Sequence, residues 1–530
     1  MRIRRTWPRH CSFLATLLIT AGTISHPAVG AVLPVPTVSY PNIMSAMLAA
    51  ADGDTIQVQP GFYLELIDFL GKAVTLESTG GAAVTFLQSP SSSSPGSVIT
   101  CRSGEGSNTV LNGFHISNGG GTTTPAGGGG RYGLGMYNAN SSPLIMNCVF
   151  MDLADPGDEI YGGAMANLNS SPKIVDCVFQ ENQAWRGAGI YNRDGSQPEI
   201  DSCLFLYNAT YSLPGGTPMA GAGGAIYSEL GSAPRVTNSE FRLNFANPTG
   251  AGGAVYSTGS ATDVSNGYFA NCLFVFNQAQ HAAGIWNSGG QITVTNCTFA
   301  ENQDTAAPYA TCIYSVGVVT ATNCIFYDNG PTNVPLDGST SLISVSWSDV
   351  EGGWPGLQNF DLPPIFTATF GLGAGSPCID SGDDFADIDA STLALDTIPL
   401  VDLASSPRFM DEPATPNTGV GEPPVDRGCF ERDGIPGIPY SAMATRGDDN
   451  GDGAVNIADP IFNLAYLFTG GPSFCLDAQD SNDDGLLNIA DPIFHLSFLF
   501  TGGAHPPDPV VPCGTDPTTD ALGCADSSCP

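Results

Sequence analysis

The chain has 530 residues and a formal net charge of −35, from 51 acidic and 16 basic side chains. Such an acidic chain excludes a nucleic-acid partner, whose phosphates it would repel, and leaves calcium and neutral or cationic partners open. Glycine (65) and proline (41) are abundant, yet 42% of residues are hydrophobic, which describes a turn-rich β protein large enough for several domains rather than a disordered chain.

Arg2, Arg4, Arg5 and Arg9 precede the apolar stretch SFLATLLITAGTI, and the small residues AVG stand just before Ala31. This pattern predicts a secretory signal over residues 1–30, because the apolar run is too short to span a bilayer. The mature chain is then expected to be secreted or held at the cell surface, with no transmembrane segment of its own.

A repeat fills the middle of the chain. GLGMYNANSSPLIMNCVF (133–150) and GGAMANLNSSPKIVDCVF (162–179) open a series of seven copies, continued at 187–205, 223–241, 252–274, 282–299 and 310–326. One column reads Cys148, Cys177, Cys203, Ser239, Cys272, Cys297 and Cys324, and most copies close on F-x-x-N, from Phe179–Asn182 to Phe326–Asn329. Short β-like runs between turn residues, with no helical period, give units too small to bury their own apolar faces. Stacked at the ~4.8 Å strand spacing, their inward positions merge into one core, which is a parallel β-helix. Alternation points Met136, Met165, Ile190, Ile226, Val255, Ile285 and Ile313 inward, together with the Cys column and the Phe two residues after it. The next residue in each copy then points outward: Tyr137, Ala166, Tyr191, Tyr227, Tyr256, Trp286 and Tyr314. Ahead of Cys stands a small polar column, Asn147, Asp176, Ser202, Asn238, Asn271, Asn296 and Asn323, placed to hydrogen-bond up the helix at one bend.

The paired G-G-A-[ILV] and F-x-x-N motifs resemble the repeats of chlamydial-type polymorphic outer-membrane proteins, within the pectate-lyase-like right-handed β-helix superfamily. NIMSAMLAAADGDTIQVQPGFYLELIDFLGKAVTLEST (42–79) looks like that superfamily's entry segment, a capping helix followed by a first coil. SPCIDSGD (376–383) and VDRGCFE (425–431) resemble the end segment of exported bacterial β-helix proteins. The resemblance implies a β-helix with an N-terminal cap over 31–365 and a closing segment over 366–432. It implies no single activity, since the superfamily includes lyases, hydrolases, esterases and adhesins. No autotransporter barrel is expected to follow, a departure from the chlamydial pattern.

After a linker (433–446) two acidic loops occur in tandem over 447–530. A twelve-residue calcium loop needs oxygen ligands at positions 1, 3, 5, 9 and 12, a carbonyl at 7 and glycine at 6. Loop one offers Asp448, Asn450, Asp452, the Ala454 carbonyl, Asn456 and Asp459, with Gly453 at the turn. Loop two offers Asp480, Asn482, Asp484, the Leu486 carbonyl, Asn488 and Asp491, with Gly485. Each loop leads into a helix opened by Pro460 or Pro492, and no amphipathic helix is expected before it. This tandem half-EF-hand resembles a type I dockerin over about 448–503, which implies folding on calcium and docking to a cohesin-like or other protein partner. Ile457/Ala458 and Ile489/Ala490 replace the polar contacts common in cohesin-binding dockerins. Ile461, Leu464 and Phe468 are expected to pack against Ile493, Leu496 and Phe500, leaving His495 as a surface residue.

The column cysteines are expected to be small unpaired core residues, because identical stacking holds their Cβ atoms ~4.8 Å apart where a bridge wants ~3.8 Å. Export permits disulfides elsewhere, with Cys378–Cys429, Cys475–Cys513 and Cys524–Cys529 as candidate pairs. No residue is assigned a catalytic role. Asp194, Glu199 and Asp201 near Arg193 and Lys173 are the candidate lyase-type set, against the plainer reading that these are ordinary turn charges. The outward aromatics Tyr191, Tyr227, Tyr256, Trp286 and Tyr314 are the candidate glycan-binding stripe, unless the rings stack on one another or a loop covers them. The expected function is recognition or processing of extracellular polysaccharide, by a polysaccharide lyase or glycoside hydrolase if catalytic. The alternative is a non-catalytic surface adhesin or structural scaffold.

Overall fold

The structure is a computed structural model. It describes residues 30–90, 96–123, 130–155, 158–213, 221–247, 249–259, 264–304, 312–330, 336–337, 342–384, 386, 401–408, 410–411, 415–421, 424–432, 435–436, 443–444, 446–447, 449, 455–469, 476–482, 484, 486–501, 503–504, 506–507 and 514–515. Most of the expected signal, and Asp448, Asn450, Asp452, Ala454, Cys475, Cys513, Cys524 and Cys529, lie outside the described residues.

Each coil contributes three short strands, one to each of three long parallel sheets. Among the described residues the first sheet runs in 12 strands from Val32–Val35 to Leu342–Ser346 and the second in 11 from Gly61–Leu64 to Asp349–Val350. The third runs in 10 from Ile67–Asp68 to Leu336–Asp337. Within a coil the chain passes from the third sheet (Met136–Ala139) to the first (Leu144–Met146) and then to the second (Val149–Met151). Equivalent residues pair in register, so Met136 meets Met165, which meets Ile190 and then Ile226. All seven residues of that inward column are buried, as the repeat predicted.

Residues in the left-handed region turn these corners. Asn140, Asn169 and Asp194 do so after the third sheet, with φ of 52°, 46° and 59°. Asn147, Asp176, Ser202, Asn238, Asn271, Asn296 and Asn323, the polar column ahead of Cys, do so after the first sheet, with φ between 47° and 54°. Asn and Asp tolerate this conformation best among side-chain-bearing residues, which explains their recurrence here. That column forms hydrogen bonds only in part, as from Asn147 Nδ2 to Asn112 Oδ1 (2.9 Å) and from Asn271 Nδ2 to Asn238 Oδ1 (3.1 Å).

The continuous polar ladder lies instead at the F-x-x-N asparagines, deep in the interior. Asn182, Asn208, Asn244, Asn277 and Asn302 each donate Nδ2 to the Oδ1 of the next asparagine, at 2.8–3.0 Å, ending at Asn329. The phenylalanines of the same motif stack face to face, Phe179–Phe205 at 4.8 Å and Phe274–Phe299 at 4.4 Å. The column cysteines are buried and free, and each donates its thiol to the carbonyl two residues earlier, as Cys177 does to Val175 (3.2 Å). Ser239 takes the same position and makes the same bond to Thr237 (2.7 Å).

The helix Ile43–Ala49 closes the N-terminal end with Ile43, Ala46 and Met47 buried. Asn42 and Ser45 form its capping box. Glu65 accepts from the Ile43 and Met44 N–H groups (2.9 and 3.0 Å), while Lys72 Nζ donates to the Met47 and Ala50 carbonyls (2.7 Å each). An acid at the helix start and a base at its end match the helix dipole.

The closing segment lies along the second sheet. Cys429, Leu403 and Phe430 pack on Leu273, Val275 and Ala300, which therefore turn outward yet are buried. The expected Cys378–Cys429 bridge is absent. Cys378 sits in a separate apolar cluster with Ile325 and Ile379 and donates its thiol to Asp349 (3.3 Å), so the two sulfurs serve different packing sites.

Two helices, Ala458–Thr469 and Ala490–Thr501, follow the acidic loops and pack on each other. Ile461, Phe468, Ile493 and Phe500 are exposed, between 57% and 66%, so they do not join the two halves as expected. The buried face carries Asn463 and His495 instead, neither of them exposed at all. Asn463 Nδ2 donates to the Gln479 carbonyl (2.7 Å), and His495 Nδ1 lies 3.9 Å from Asp449 Oδ2. The Asn463 bond ties this face inward, and the burial of His495 corrects its reading as a surface residue.

Candidate functional site

The outward residues of the third sheet form their own clusters, separate from the coil core. Alternation therefore assigned their side correctly, but the rings do not lie open. Tyr191, Tyr227, Trp286 and Tyr314 are buried and Tyr256 is half-buried. They stack along the axis, Tyr227–Tyr256 at 5.0 Å and Trp286–Tyr314 at 4.3 Å. The left-handed residue that opens these copies accounts for the cover. Gly187 and Gly223 have φ of 59° and 67°, and a Cβ at Gly223 would meet the Ile226 carbonyl oxygen at 2.4 Å. That turn folds the preceding residue back over the rings, and Arg186, Ala222, Ala251 and His281 pair there in a ladder of their own. A sugar cannot lie flat along this column.

What reaches the surface is a charged and aromatic cluster over the same rings. Tyr191 Oη donates to Glu229 Oε1, and Glu229 Oε2 accepts from Arg186 Nη1 (3.3 Å) and Tyr227 Oη (3.4 Å). Arg193 Nε stands 3.8 Å from Glu229 Oε1, and the Arg186 guanidinium lies 4.3 Å over Trp185 and 5.1 Å over Tyr227. The Arg186 and Arg193 side chains remain 29% and 33% exposed, against 15% for Glu229. Burial, then Glu229, pushes the Tyr191 hydroxyl well up; burial likewise raises Tyr227 and Tyr161. Burial lowers the Arg193 guanidinium, but Tyr191, Glu229 and Asp194 outweigh it and hold it above its ordinary value. The tyrosines thus stay protonated as donors, and the arginines stay charged. Arg186, Glu229, Trp185, Tyr132 and Tyr161 were missed from sequence. Glu229 carried a signal, since it follows Tyr227 by two residues and shares its face.

The lyase-type set is split. Lys173, Glu199 and Asp201 lie on the first sheet, while Arg193 ends a strand of the third and Asp194 turns the corner between them. Lys173 Nζ stands 3.9 Å from Glu199 Oε2, and Asp201 accepts from Thr237 Oγ1 (2.6 Å) and Asn238 Nδ2 (2.9 Å). With Arg235 they line an open groove of about 400 Å³.

In loop two, Asp480 and Asp491 are buried, and Asp491 Oδ1 has no hydrogen-bond partner. Burial, then Asp480 and Asp484, pushes Asp491 up to about 7. Asn488 N donates to Asp491 Oδ2 (2.7 Å), Asn488 Oδ1 accepts from Ala490 N (2.9 Å), and Asn482 Oδ1 accepts from Asp484 N (3.0 Å). Facing carboxylates with an orphaned oxygen fit a divalent cation, which would relieve their repulsion. Asp480, Asn482, Asp484, the Leu486 carbonyl, Asn488 and Asp491 would hold it, and its charge would fix the loop against the following helix. Among the described residues, no group of three or more His, Cys, Asp or Glu side chains is placed to hold a metal. The fit therefore includes the amide and carbonyl oxygens. In loop one only Asn456 and Asp459 are described, and Asp459 Oδ2 accepts from Asn456 N (2.6 Å).

The family model for a right handed beta helix region matches residues 73–299. With three parallel sheets wound coil on coil, that decides the class. The chain is a right-handed β-helix repeat protein. No curated protein matches it. Among the described residues no helix of this β-helix protein is long and apolar enough to cross a membrane.

Proposed function

We propose that this β-helix protein is exported, binds calcium in its tandem acidic loops, and recognises or processes extracellular polysaccharide. The observation that carries this is the Arg186–Arg193–Glu229 cluster set among tyrosines on the third sheet, with both guanidiniums partly exposed. Arginine forks and tyrosine hydroxyls are suited to the hydroxyl and acidic groups of a glycan strand crossing the coils. Recognition is the better-supported half, because burial keeps Tyr161, Tyr191 and Tyr227 protonated and none of them supplies a base.

The calcium-binding module attaches the protein to a partner, a cohesin-like or other protein. Support comes from two matching apolar stripes left exposed on it, Ile457, Ile461 and Phe468, and Ile489, Ile493 and Phe500. A second reading, a scaffold without chemistry, is favoured by the burial of the aromatic column, whose rings stack as structural rungs.

The test is retardation of the full chain on a panel of plant and algal polysaccharide gels with calcium, alongside assay for new reducing ends and unsaturated products. Binding to one polymer that weakens about tenfold in Arg193→Ala supports the reading, and product marks processing. Binding unchanged by that substitution, or no binding to any polymer, leaves the scaffold.

A further inference from the structure

Arg427, in the closing segment, is 3% exposed. Its Nε and Nη2 donate to the Ser381 carbonyl (3.0 and 2.9 Å), and Nη2 also donates to the Gln358 carbonyl (3.0 Å). Nη1 is buried and makes no hydrogen bond among the described residues. The guanidinium lies 4.0 Å over the Phe360 ring. All its acceptors are neutral, and among the described residues it forms no ion pair. Arg408, equally buried in the same segment, has Glu431 at 3.4 Å. The acid acting on Arg427 is Asp349, whose carboxyl is occupied by the Cys378 thiol (3.3 Å) and the Leu362 N–H (3.2 Å).

Buried charges are ordinarily paired, because desolvation of a lone ion is costly. Arg427 also lines a cavity of about 490 Å³ whose other walls include Phe360, Leu362, Pro377, Ile379 and Thr415. That volume falls in the range of small-molecule sites, roughly 300–1,000 Å³.

We propose that this cavity binds a small monocarboxylate with an apolar body, its carboxylate set against Arg427 and its body against Phe360, Leu362 and Ile379. A single arginine with neutral neighbours balances one negative charge, and the mostly apolar wall disfavours a strongly hydrated dianion such as phosphate. The orphaned Nη1 donor gives the guanidinium a hydrogen bond to spare. The site is independent of the glycan reading, since it lies on the closing segment, away from the third sheet.

The test is calorimetric titration of the full chain with benzoate, and with benzyl alcohol as its neutral counterpart. Saturable benzoate binding is expected, with benzyl alcohol at least about tenfold weaker. Arg427→Met removes the preference for the acid. Because that substitution also breaks the Ser381 and Gln358 bonds, Thr415→Trp provides the second variant. It fills the cavity, keeps Arg427, and weakens benzoate binding about tenfold with the melting temperature preserved. Equal binding of the two probes, no saturable benzoate binding, or Thr415→Trp binding that matches the parent overturns the proposal.

Discussion

Replacing Asn244 with leucine tests whether the interior ladder holds the coils together. Asn244 is fully buried; its Nδ2 donates to the Phe205 carbonyl (2.9 Å) and Asn277 Oδ1 (3.0 Å). Its Oδ1 accepts from the Asn208 backbone N–H (3.2 Å) and Asn208 Nδ2 (3.0 Å). Leucine is close in size but offers neither donor nor acceptor. Asn277 Oδ1 keeps the Asn244 backbone N–H (3.0 Å), Asn208 Nδ2 keeps Phe179 (2.7 Å) and the Phe205 carbonyl keeps its strand pairing, so the damage falls on the Asn208 N–H and one Asn208 amide proton. Each buried group left without a partner costs about 1–3 kcal/mol. Leucine carbons return up to about 2 kcal/mol, so the net loss from these two groups centres near about 2 kcal/mol, a sizeable share of the roughly 5–15 kcal/mol that holds a domain folded. The assay is urea unfolding of the full chain, with hydrogen exchange read at residues 203–208, 239–244 and 272–277. Faster exchange is expected to spread from the Asn244 coil to both neighbours, because its partners lie one coil to either side. A loss below about 1 kcal/mol, with exchange unchanged in the neighbouring coils, would show that strand pairing and Phe stacking suffice and the ladder argument is wrong.

Calcium should stabilise the C-terminal module, by about 2.7 kcal/mol when the ion is at a hundred times its dissociation constant. Melting followed by circular dichroism with calcium and then with chelator reads this, and Asp480→Ala should abolish loop two's share; equal melting in both buffers refutes it. The closing segment should lose stability as pH rises. Burial pushes Asp349, Asp384 and Asp426 up to about 7 from an ordinary value of 3.8, so between those limits the folded state holds more protons than the unfolded one. Their contribution is therefore fully present below about pH 4 and is lost as pH passes 7. Urea midpoints at pH 5 and pH 8 should show the drop, and Asp426→Asn should flatten it; a higher midpoint at pH 8 would reverse the sign.

The β-helix was legible because a stacked repeat writes its register into the sequence. Met136, Met165 and Ile190 recur at one position, and in-register pairing puts identical neighbours above and below each. The asparagine column was visible in F-x-x-N, but its role as the main ladder was not, because Asn147 and Asn182 look alike as letters. Only the backbone separates them: Asn147 turns a corner at φ 53°, while Asn182 follows the corner residue Glu181 and points inward.

The exposure of Tyr191 and Tyr227 was not decided by alternation, which tells one face of a sheet from the other but not what lies over it. Their cover arrives from Arg186 and Ala222, folded back by Gly187 and Gly223. The helix faces failed for the opposite reason. In IFNLAYLF and IFHLSFLF apolar residues stand on every side, so periodicity cannot choose between them. The choice fell to tertiary contacts such as that of Asn463 with Gln479. By itself the sequence determined the repeat, its inward columns and the ligand spacing of the acidic loops, all set by local periodicity. The tertiary structure alone decided which outward rings are covered, which helix face is buried, and that Arg427 forms no ion pair among the described residues, because each depends on chain brought from far away in sequence.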